Sequence, residues 1–128
     1  MSFLGSFFSV FSPPAAGVRS IEPSEAARLV RARQAVLVDV REPAEWSGGV
    51  AADAALLPLS DLTGARREWR PFLEQVAGRE IILYCHSGAR CRLVGRVLAS
   101  EGFKAASVGS LRAWQSAGLP VIRPKTAR

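Results

Sequence analysis

Residues 81–92 of the chain read Ile81-Ile-Leu-Tyr-Cys-His-Ser-Gly-Ala-Arg-Cys-Arg92, an apolar run that stops at a cysteine. The run is too short for a buried helix and is typical of a central parallel strand that is covered on both faces. Cys85 would then lie at the carboxyl end of that strand, where open α/β sheets place their chemistry. The stretch therefore predicts an α/β fold with a candidate reactive cysteine at its centre.

A helix is predicted to follow the cysteine. Apolar residues recur at helical spacing at Leu93, Val94, Val97 and Leu98. The pattern stops at Gly102, so this helix is expected to begin within or just after residues 90–92. Backbone N–H groups and the positive end of a helix dipole favour a thiolate over a thiol. The alternative interpretation is that Cys85 is a small buried hydrophobic residue that ends a core strand.

The six residues from Cys85 to Arg90 resemble the active-site loop of the rhodanese, or sulfurtransferase, family. Further motifs of that family follow in the same order, namely Val38-Asp-Val-Arg-Glu-Pro-Ala-Glu-Trp46, Gly49, Leu57-Pro-Leu59, Gly102-Phe103, Ala113-Trp114 and Gly118-Leu-Pro-Val121. The resemblance covers about residues 18 to 122. The loop pattern alone would be a weak signal, but the combination of motifs is specific.

The resemblance implies a rhodanese-like, doubly wound domain with a central, mainly parallel five-stranded sheet and helices on both faces. It also implies that Cys85 accepts a sulfane sulfur from a small anionic donor such as thiosulfate, as a persulfide, and passes it to cyanide or a thiol acceptor. The substrate and the persulfide would be bound by the loop residues His86, Ser87, Gly88, Ala89 and Arg90. Arg90 and the loop N–H groups would stabilise the negative sulfur. Neither a cofactor nor a metal is expected.

The sequence departs from the family pattern at two places near the predicted site. Val50 stands where the family has the histidine of Gly-His-Ile-Pro-Gly, and Gly109-Ser110 stands where it has a Gly-Gly pair. The related phosphatase loop carries one more residue between cysteine and arginine. That position is Cys91 in this chain, so phosphatase chemistry is disfavoured.

Asp39 is an acid within the otherwise apolar strand predicted at residues 36–40. Because a buried carboxylate needs a partner, we expect it near the end of the strand, bonded to loop N–H groups or to an arginine. Its predicted role is that of a structural brace supporting the site. Arg41, also counted as a supporting residue, is expected to pair at the surface with Glu42 or Glu45.

The remaining pattern predicts short elements around these two strands. They are an edge strand at Val18–Ile21, a helix starting at Pro23, a strand from Ala54 that ends at Pro58, a helix capped by Ser60, a helix around Phe72 after Pro71, a strand at Ala106–Val108 and a helix at Leu111–Ala117.

The composition is that of an ordinary globular protein, with 128 residues, 48% hydrophobic residues and a net charge of +6. Such a charge attracts small anions or acidic partners, but the arginines lack the aromatic interleaving of a nucleic-acid surface, so no nucleic-acid partner is expected. Two cysteines and one histidine are too few for a set of metal ligands or for a disulfide framework. A reducing, cytoplasmic location without a membrane span is therefore predicted.

We divide the sequence into an N-terminal segment and linker (1–17), a rhodanese-like domain (18–122) and a basic tail (123–128). Residues 3–11 carry an apolar stripe of Phe3, Leu4, Phe7, Phe8 and Phe11 that predicts an amphipathic helix. This helix either folds back on its own domain or docks a protein partner or a second subunit. A membrane-surface anchor is less favoured, because the polar face lacks Lys and Arg.

The leading functional hypothesis is a thiosulfate sulfurtransferase that works through a Cys85 persulfide. The alternative is a sulfur carrier or protein-docking module that uses the N-terminal apolar helix and turns over small molecules poorly. A third hypothesis is thiol redox chemistry that involves Cys91.

Overall fold

The computed structural model describes residues 18–124, so the predicted N-terminal helix and residues 125–128 lie outside the described part of the chain. Within residues 18–124 the strands are β1 (Val18–Ser20), β2 (Ala35–Asp39), β3 (Val50–Ala51), β4 (Ala55–Leu56), β5 (Glu80–Cys85), β6 (Ala105–Ser110) and β7 (Val121–Ile122). The helices are α1 (Pro23–Arg31), α2 (Pro43–Trp46), α3 (Leu59–Leu62), α4 (Trp69–Gln75), α5 (Ala89–Ser100) and α6 (Leu111–Ser116).

Five strands form a central sheet in the order β1-β6-β5-β2-β4, and every neighbouring pair is parallel. Strand β5 lies in the middle, and its residues 81–85 are fully buried because both neighbours and both faces of the sheet are covered. This confirms the predicted α/β class with a central five-stranded parallel sheet.

Helices pack on both faces of the sheet. On one face, Leu62 of α3, Trp69 of α4 and Leu98 of α5 lie in one core cluster. On the other face, Ala26 of α1 and Trp114 of α6 lie in a second cluster. The two clusters hold the sheet, and therefore the end of β5, in a rigid layer.

Helix α5 approaches strand β1 so closely that one position requires glycine. A Cβ atom on Gly95 would overlap the side chain of Val18. The absence of a side chain at this position therefore lets the middle of α5 pack directly against the start of β1.

A second, two-stranded antiparallel sheet is formed by β3 and β7, with Val50 opposite Ile122 and Ala51 opposite Val121. Val50, at the family's histidine position, is buried in this sheet. At this position the chain therefore buries an apolar side chain.

Several predicted boundaries were wrong. Ser60 does not cap α3; Pro58 occupies the cap position, and the Ser60 hydroxyl instead donates to the Glu42 carboxylate at 2.6 Å. Helix α4 begins at Trp69 and not after Pro71. Pro71 can lie in the first turn because the N–H groups of that turn have no hydrogen-bond partner within the helix. Strand β4 is limited to Ala55–Leu56, and β6 extends over Ala105–Ser110.

Candidate active site

Cys85 ends strand β5, and its sulfur lies under the N-terminal turn of α5. The Gly88 N–H group donates to Sγ at 2.9 Å, and the Gly109 carbonyl oxygen lies 3.8 Å from the same atom. Gly88 is the N-cap residue of α5 and has a φ of 100°, a left-handed conformation that glycine adopts without steric cost. The loop can therefore turn its backbone N–H groups onto the sulfur.

The surroundings of Cys85 favour its thiolate. The adjacent Cys91 thiol and the backbone N–H groups of Cys91, Gly88 and Ser87 lower the pKa of Cys85 to about 5, against burial, which raises it. This pKa favours the thiolate at neutral pH, which differs from the neutral thiol expected of an inert core cysteine.

The remaining loop residues surround the sulfur at different depths. His86, Ser87 and Ala89 are exposed, while Gly88 and Arg90 are half-buried. The Arg90 guanidinium donates from Nη1 to Glu45 Oε1 at 2.7 Å and from Nη2 to Glu45 Oε2 at 2.9 Å. Glu45 raises the pKa of Arg90, so this arginine carries a full positive charge beside the loop.

Asp39 and Arg41 form a buried pair at the end of β2. Asp39 accepts from the Arg41 backbone N–H at 2.9 Å, from Nη2 at 2.8 Å and from Nε at 3.1 Å. The expectation that Asp39 binds an arginine or a loop N–H group is confirmed. The predicted surface pairing of Arg41 with the carboxylate of Glu42 or Glu45 is wrong, because strand β2 ends at Asp39 and the Arg41 side chain folds back onto that acid. Arg90 takes the Glu45 carboxylate instead.

Arg41 and Tyr84 connect this buried pair to the segment around β3. Arg41 Nη2 also donates to the Gly49 carbonyl oxygen at 2.6 Å, and its guanidinium lies 5.8 Å from the centre of the Tyr84 ring. The Tyr84 hydroxyl accepts from the Ala51 N–H at 2.8 Å. Burial raises the pKa of Tyr84, so its hydroxyl stays protonated. Sequence reasoning missed Tyr84, although a hydroxyl in a buried strand was a signal that it needed a partner.

Two pockets flank the loop. The first, of about 430 Å³, is called the arginine pocket, and it is lined by Arg41, His86, Ser87, Ser110, Leu111, Arg112 and Gln115. The second, of about 520 Å³, is called the glycine pocket, and it is lined by Val18, Ser20, Ile21, Glu22, Pro23, Ser87, Gly88, Arg92, Ser107, Val108, Gly109 and Ala113.

The pockets differ in charge. Two arginines and one histidine line the arginine pocket, and its lining residues include no carboxylate. One arginine and one glutamate line the glycine pocket, which also borders Gly88 and Gly109, whose backbone atoms contact the Cys85 sulfur. The arginine pocket is therefore the more positive side of the loop, and the glycine pocket leads to the atoms around the sulfur.

In the described part of the chain, no group of three or more His, Cys, Asp or Glu side chains could hold a metal ion. Across the same residues, no helix is both long and apolar enough to cross a membrane.

Residues 22–117 match the family model of the rhodanese-like domain. The chain belongs to the rhodanese-like domain family. A sulfurtransferase from Allochromatium vinosum is 33% identical to this rhodanese-like chain over 100 residues, covering 77% of this chain and 88% of that protein. An uncharacterized protein from Synechocystis sp. is 36% identical over 110 residues, covering 84% of this chain. This chain spans 58% of the length of that Synechocystis relative.

Solved structures share the fold. The solution structure of the polysulfide-sulfur transferase homodimer from Wolinella succinogenes has a TM-score of 0.65 and 23% sequence identity. The match covers 97% of this chain and 92% of that one. The rhodanese fold is thus found both from the sequence and from the coordinates.

Proposed function

We propose that this rhodanese-like protein is a sulfurtransferase that moves a sulfane sulfur from thiosulfate or a similar anionic donor, through a persulfide on Cys85, to cyanide or a thiol acceptor. The observation that carries the proposal is the Gly88 N–H group aimed at the Cys85 sulfur at 2.9 Å, at the N-terminus of α5. The similarity to the Allochromatium sulfurtransferase supports the same reaction class.

The first half-reaction needs an anionic sulfur as nucleophile and a leaving group. The Cys85 thiolate attacks the outer sulfur of thiosulfate, a Cys85 S–S bond forms, and the donor's own S–S bond breaks to release sulfite with the bonding electron pair. No proton has to be removed from Cys85 at neutral pH, because its pKa lies at about 5. His86 is therefore not assigned the role of general base.

The second half-reaction returns the enzyme to its starting state. Cyanide or a thiolate attacks the outer persulfide sulfur, and the S–S bond breaks toward Cys85, which leaves as the thiolate. The N–H groups that hold the thiolate also stabilise it as a leaving group. Electrons balance over the two steps, so the cycle needs neither an added oxidant nor an added reductant.

The arginine pocket suits the donor. Arg112 gives its lining a positive charge, whereas the charge of Arg41 is paired with the buried Asp39, and His86 of the loop borders the same space. Arg90 adds positive charge next to the loop, although both of its Nη groups are bonded to Glu45. We therefore assign Arg90 the role of stabilising the negative sulfur through its field and its hold on the loop.

The test is sulfur transfer from thiosulfate to cyanide by the full chain, with thiocyanate as the measured product. Cys85→Ser is expected to abolish transfer while circular dichroism shows an unchanged fold, because serine fills the same space but is not ionised at neutral pH. Ser100→Ala, at the opposite end of α5, serves as the control and should turn over normally. Full activity in Cys85→Ser would refute the proposal.

A further inference from the structure

A second sulfur lies beside the first. Cys91 is in the first turn of α5 and is buried, and its Sγ lies 4.0 Å from the carbonyl oxygen of Gly109. The same oxygen lies 3.8 Å from Sγ of Cys85. The two sulfur atoms therefore share one backbone neighbour and are both shielded from water.

We propose that Cys91 is a positioning residue whose neutral thiol donates a hydrogen bond to the thiolate of Cys85. The inference rests on the proposed function for the importance of the thiolate. The hydrogen bond itself can be measured without any sulfur transfer.

The thiol at position 91 keeps its proton because of its neighbours. The adjacent Cys85 sulfur, acting as hydrogen-bond partner and as negative charge, raises the pKa of Cys91, and burial raises it further. Both sulfurs lie within 4.0 Å of the Gly109 carbonyl oxygen and away from water, so two anionic sulfurs there would repel each other and only one is ionised. The backbone N–H groups converge on Cys85, which decides which sulfur carries the charge.

Two acceptors compete for the Cys91 proton. One is the neutral carbonyl oxygen of Gly109, and the other is the charged sulfur of Cys85. A charged acceptor makes the stronger hydrogen bond, so ionisation of Cys85 should turn the S–H group toward it. The Ser107 hydroxyl accepts from the Gly109 N–H at 2.9 Å and fixes that peptide in place.

The arrangement has a chemical consequence for the site. A neutral donor stabilises the reactive thiolate without adding a second nucleophile, because a protonated buried thiol attacks slowly. Cys85 is thereby kept as the one ionised sulfur. Other charged or titratable groups near the loop include Arg90 with Glu45 and Arg41 with Asp39. The residues that line the two pockets add His86, Arg112, Arg92 and Glu22, and the variants below leave all of these groups unchanged.

The experiment is a pH titration of the thiolate ultraviolet absorbance of the full chain, which needs no reagent to reach the buried sulfur. In wild type the first thiolate step on raising the pH is read directly, because Cys91 keeps its proton while Cys85 is charged. Cys91→Ala and Cys91→Ser, which have no second thiol, are each compared with the same protein carrying Cys85→Ser, so that the difference reports Cys85. Loss of a charge-assisted hydrogen bond in Cys91→Ala is expected to raise the Cys85 midpoint by about one to two pH units. Cys91→Ser retains a hydroxyl donor and is expected to stay at or below the wild-type midpoint.

An unchanged midpoint in Cys91→Ala, or a midpoint in Cys91→Ser raised as far as in Cys91→Ala, would overturn the inference. If Cys91→Ala does not fold, Cys91→Val fills the space without a donor and replaces it. If neither folds, the Cys91→Ser midpoint decides, because any rise above wild type contradicts a donor role. A chain that shows these shifts but transfers no sulfur would refute the proposed function and leave the hydrogen bond standing.

Discussion

Arg90, in the first turn of α5, is bonded through both Nη atoms to both carboxylate oxygens of Glu45, at 2.7 and 2.9 Å. Glu45 belongs to α2, and its carboxylate also accepts from the Glu42 N–H at 2.9 Å. The pair therefore joins the loop of residues 85–90 to the segment that follows β2. Hydrogen bonding to Arg90 lowers the pKa of Glu45 to about 2, so the pair stays charged at neutral pH.

Removing the Arg90 side chain should lower turnover. Arg90→Ala is expected to reduce kcat/KM for thiosulfate by about ten- to a hundredfold, the range that corresponds to losing one charged hydrogen-bonding group. Arg90→Lys should keep only part of the wild-type kcat/KM, because a lysine cannot make the two parallel hydrogen bonds to Glu45. Steady-state kinetics of the two variants is the measurement.

Glu45→Gln is the matched control for this prediction. It removes the partner's charge and keeps the Arg90 charge beside the sulfur, so it should lose less activity than Arg90→Ala. A wild-type rate in Arg90→Ala would mean that the backbone N–H groups alone stabilise the negative sulfur. Equal losses in Arg90→Ala and Glu45→Gln would instead assign Arg90 the sole task of holding α2.

The buried Asp39–Arg41 pair should matter for stability. Asp39→Ala leaves a buried guanidinium without its carboxylate, which typically costs about 3–5 kcal/mol of unfolding free energy. Urea unfolding followed by circular dichroism gives that value. Glu25→Gln breaks the exposed pair with Arg28, bonded at 2.6 Å, and should leave stability nearly unchanged. A small effect of Asp39→Ala, comparable to that of Glu25→Gln, would contradict the bracing role.

The lowered pKa of Cys85 predicts the pH profile of persulfide formation. The rate should be flat above about pH 6 and fall as the pH drops through about 5, where the thiolate is protonated. Single-turnover reaction with thiosulfate, stopped with acid and read by mass spectrometry, follows this step. A rate that climbs toward the ordinary thiol pKa near 9 would show that the loop does not lower the pKa of Cys85.

The same shift predicts a pH dependence of stability. Between about pH 5 and 9 the unfolded chain holds the Cys85 thiol proton and the folded chain has released it. The contribution of the thiolate to the free energy of unfolding is therefore complete above about pH 9 and is lost as the pH falls toward about 5. The Tm difference between wild type and Cys85→Ser should therefore increase with pH across this window. A constant difference would contradict the prediction.

The sequence predicted the central layer well because its signals are local and strong. The apolar run into Cys85 and the helical spacing after it predicted β5 and α5, and the structure differs there by about one residue, with β5 starting at Glu80 and α5 at Ala89. The pairing of Asp39 with an arginine could also be expected, because a buried carboxylate needs a partner.

Other features depended on contacts between distant residues. Glu45 and Arg90 are separated by 45 positions, and no spacing rule brings them together. The partner of Arg41 was missed because the strand was assumed to continue to Val40, whereas it ends at Asp39. The contact of both cysteines with Gly109 depends on how β6 lies beside β5, which a single sequence does not reveal.

Residues 1–12 lie outside the described residues, and the prediction for them rests on the sequence. We propose that the apolar stripe of residues 3–11, formed by Phe3, Leu4, Phe7, Phe8 and Phe11, serves a protein contact or a homodimer. Deletion of residues 1–12 should change the mass in solution, measured by light scattering, and leave the sulfurtransferase rate intact. Loss of activity with an unchanged mass would instead place this segment over the active site.

The transferred sulfur is expected on Cys85 and not on Cys91. The N–H groups of the loop point to Cys85, whereas the Cys91 thiol is held in its neutral form by the neighbouring sulfur and by burial. The protein is exposed to thiosulfate, its free thiols are blocked, and it is digested for peptide mapping. The added sulfur atom should be found only on the peptide that contains Cys85. Cys91→Ser, which keeps a donor, should lose less activity than Cys91→Ala. A persulfide on Cys91, or an inactive Cys91→Ser with a normal fold, would mean that the second cysteine carries sulfur itself.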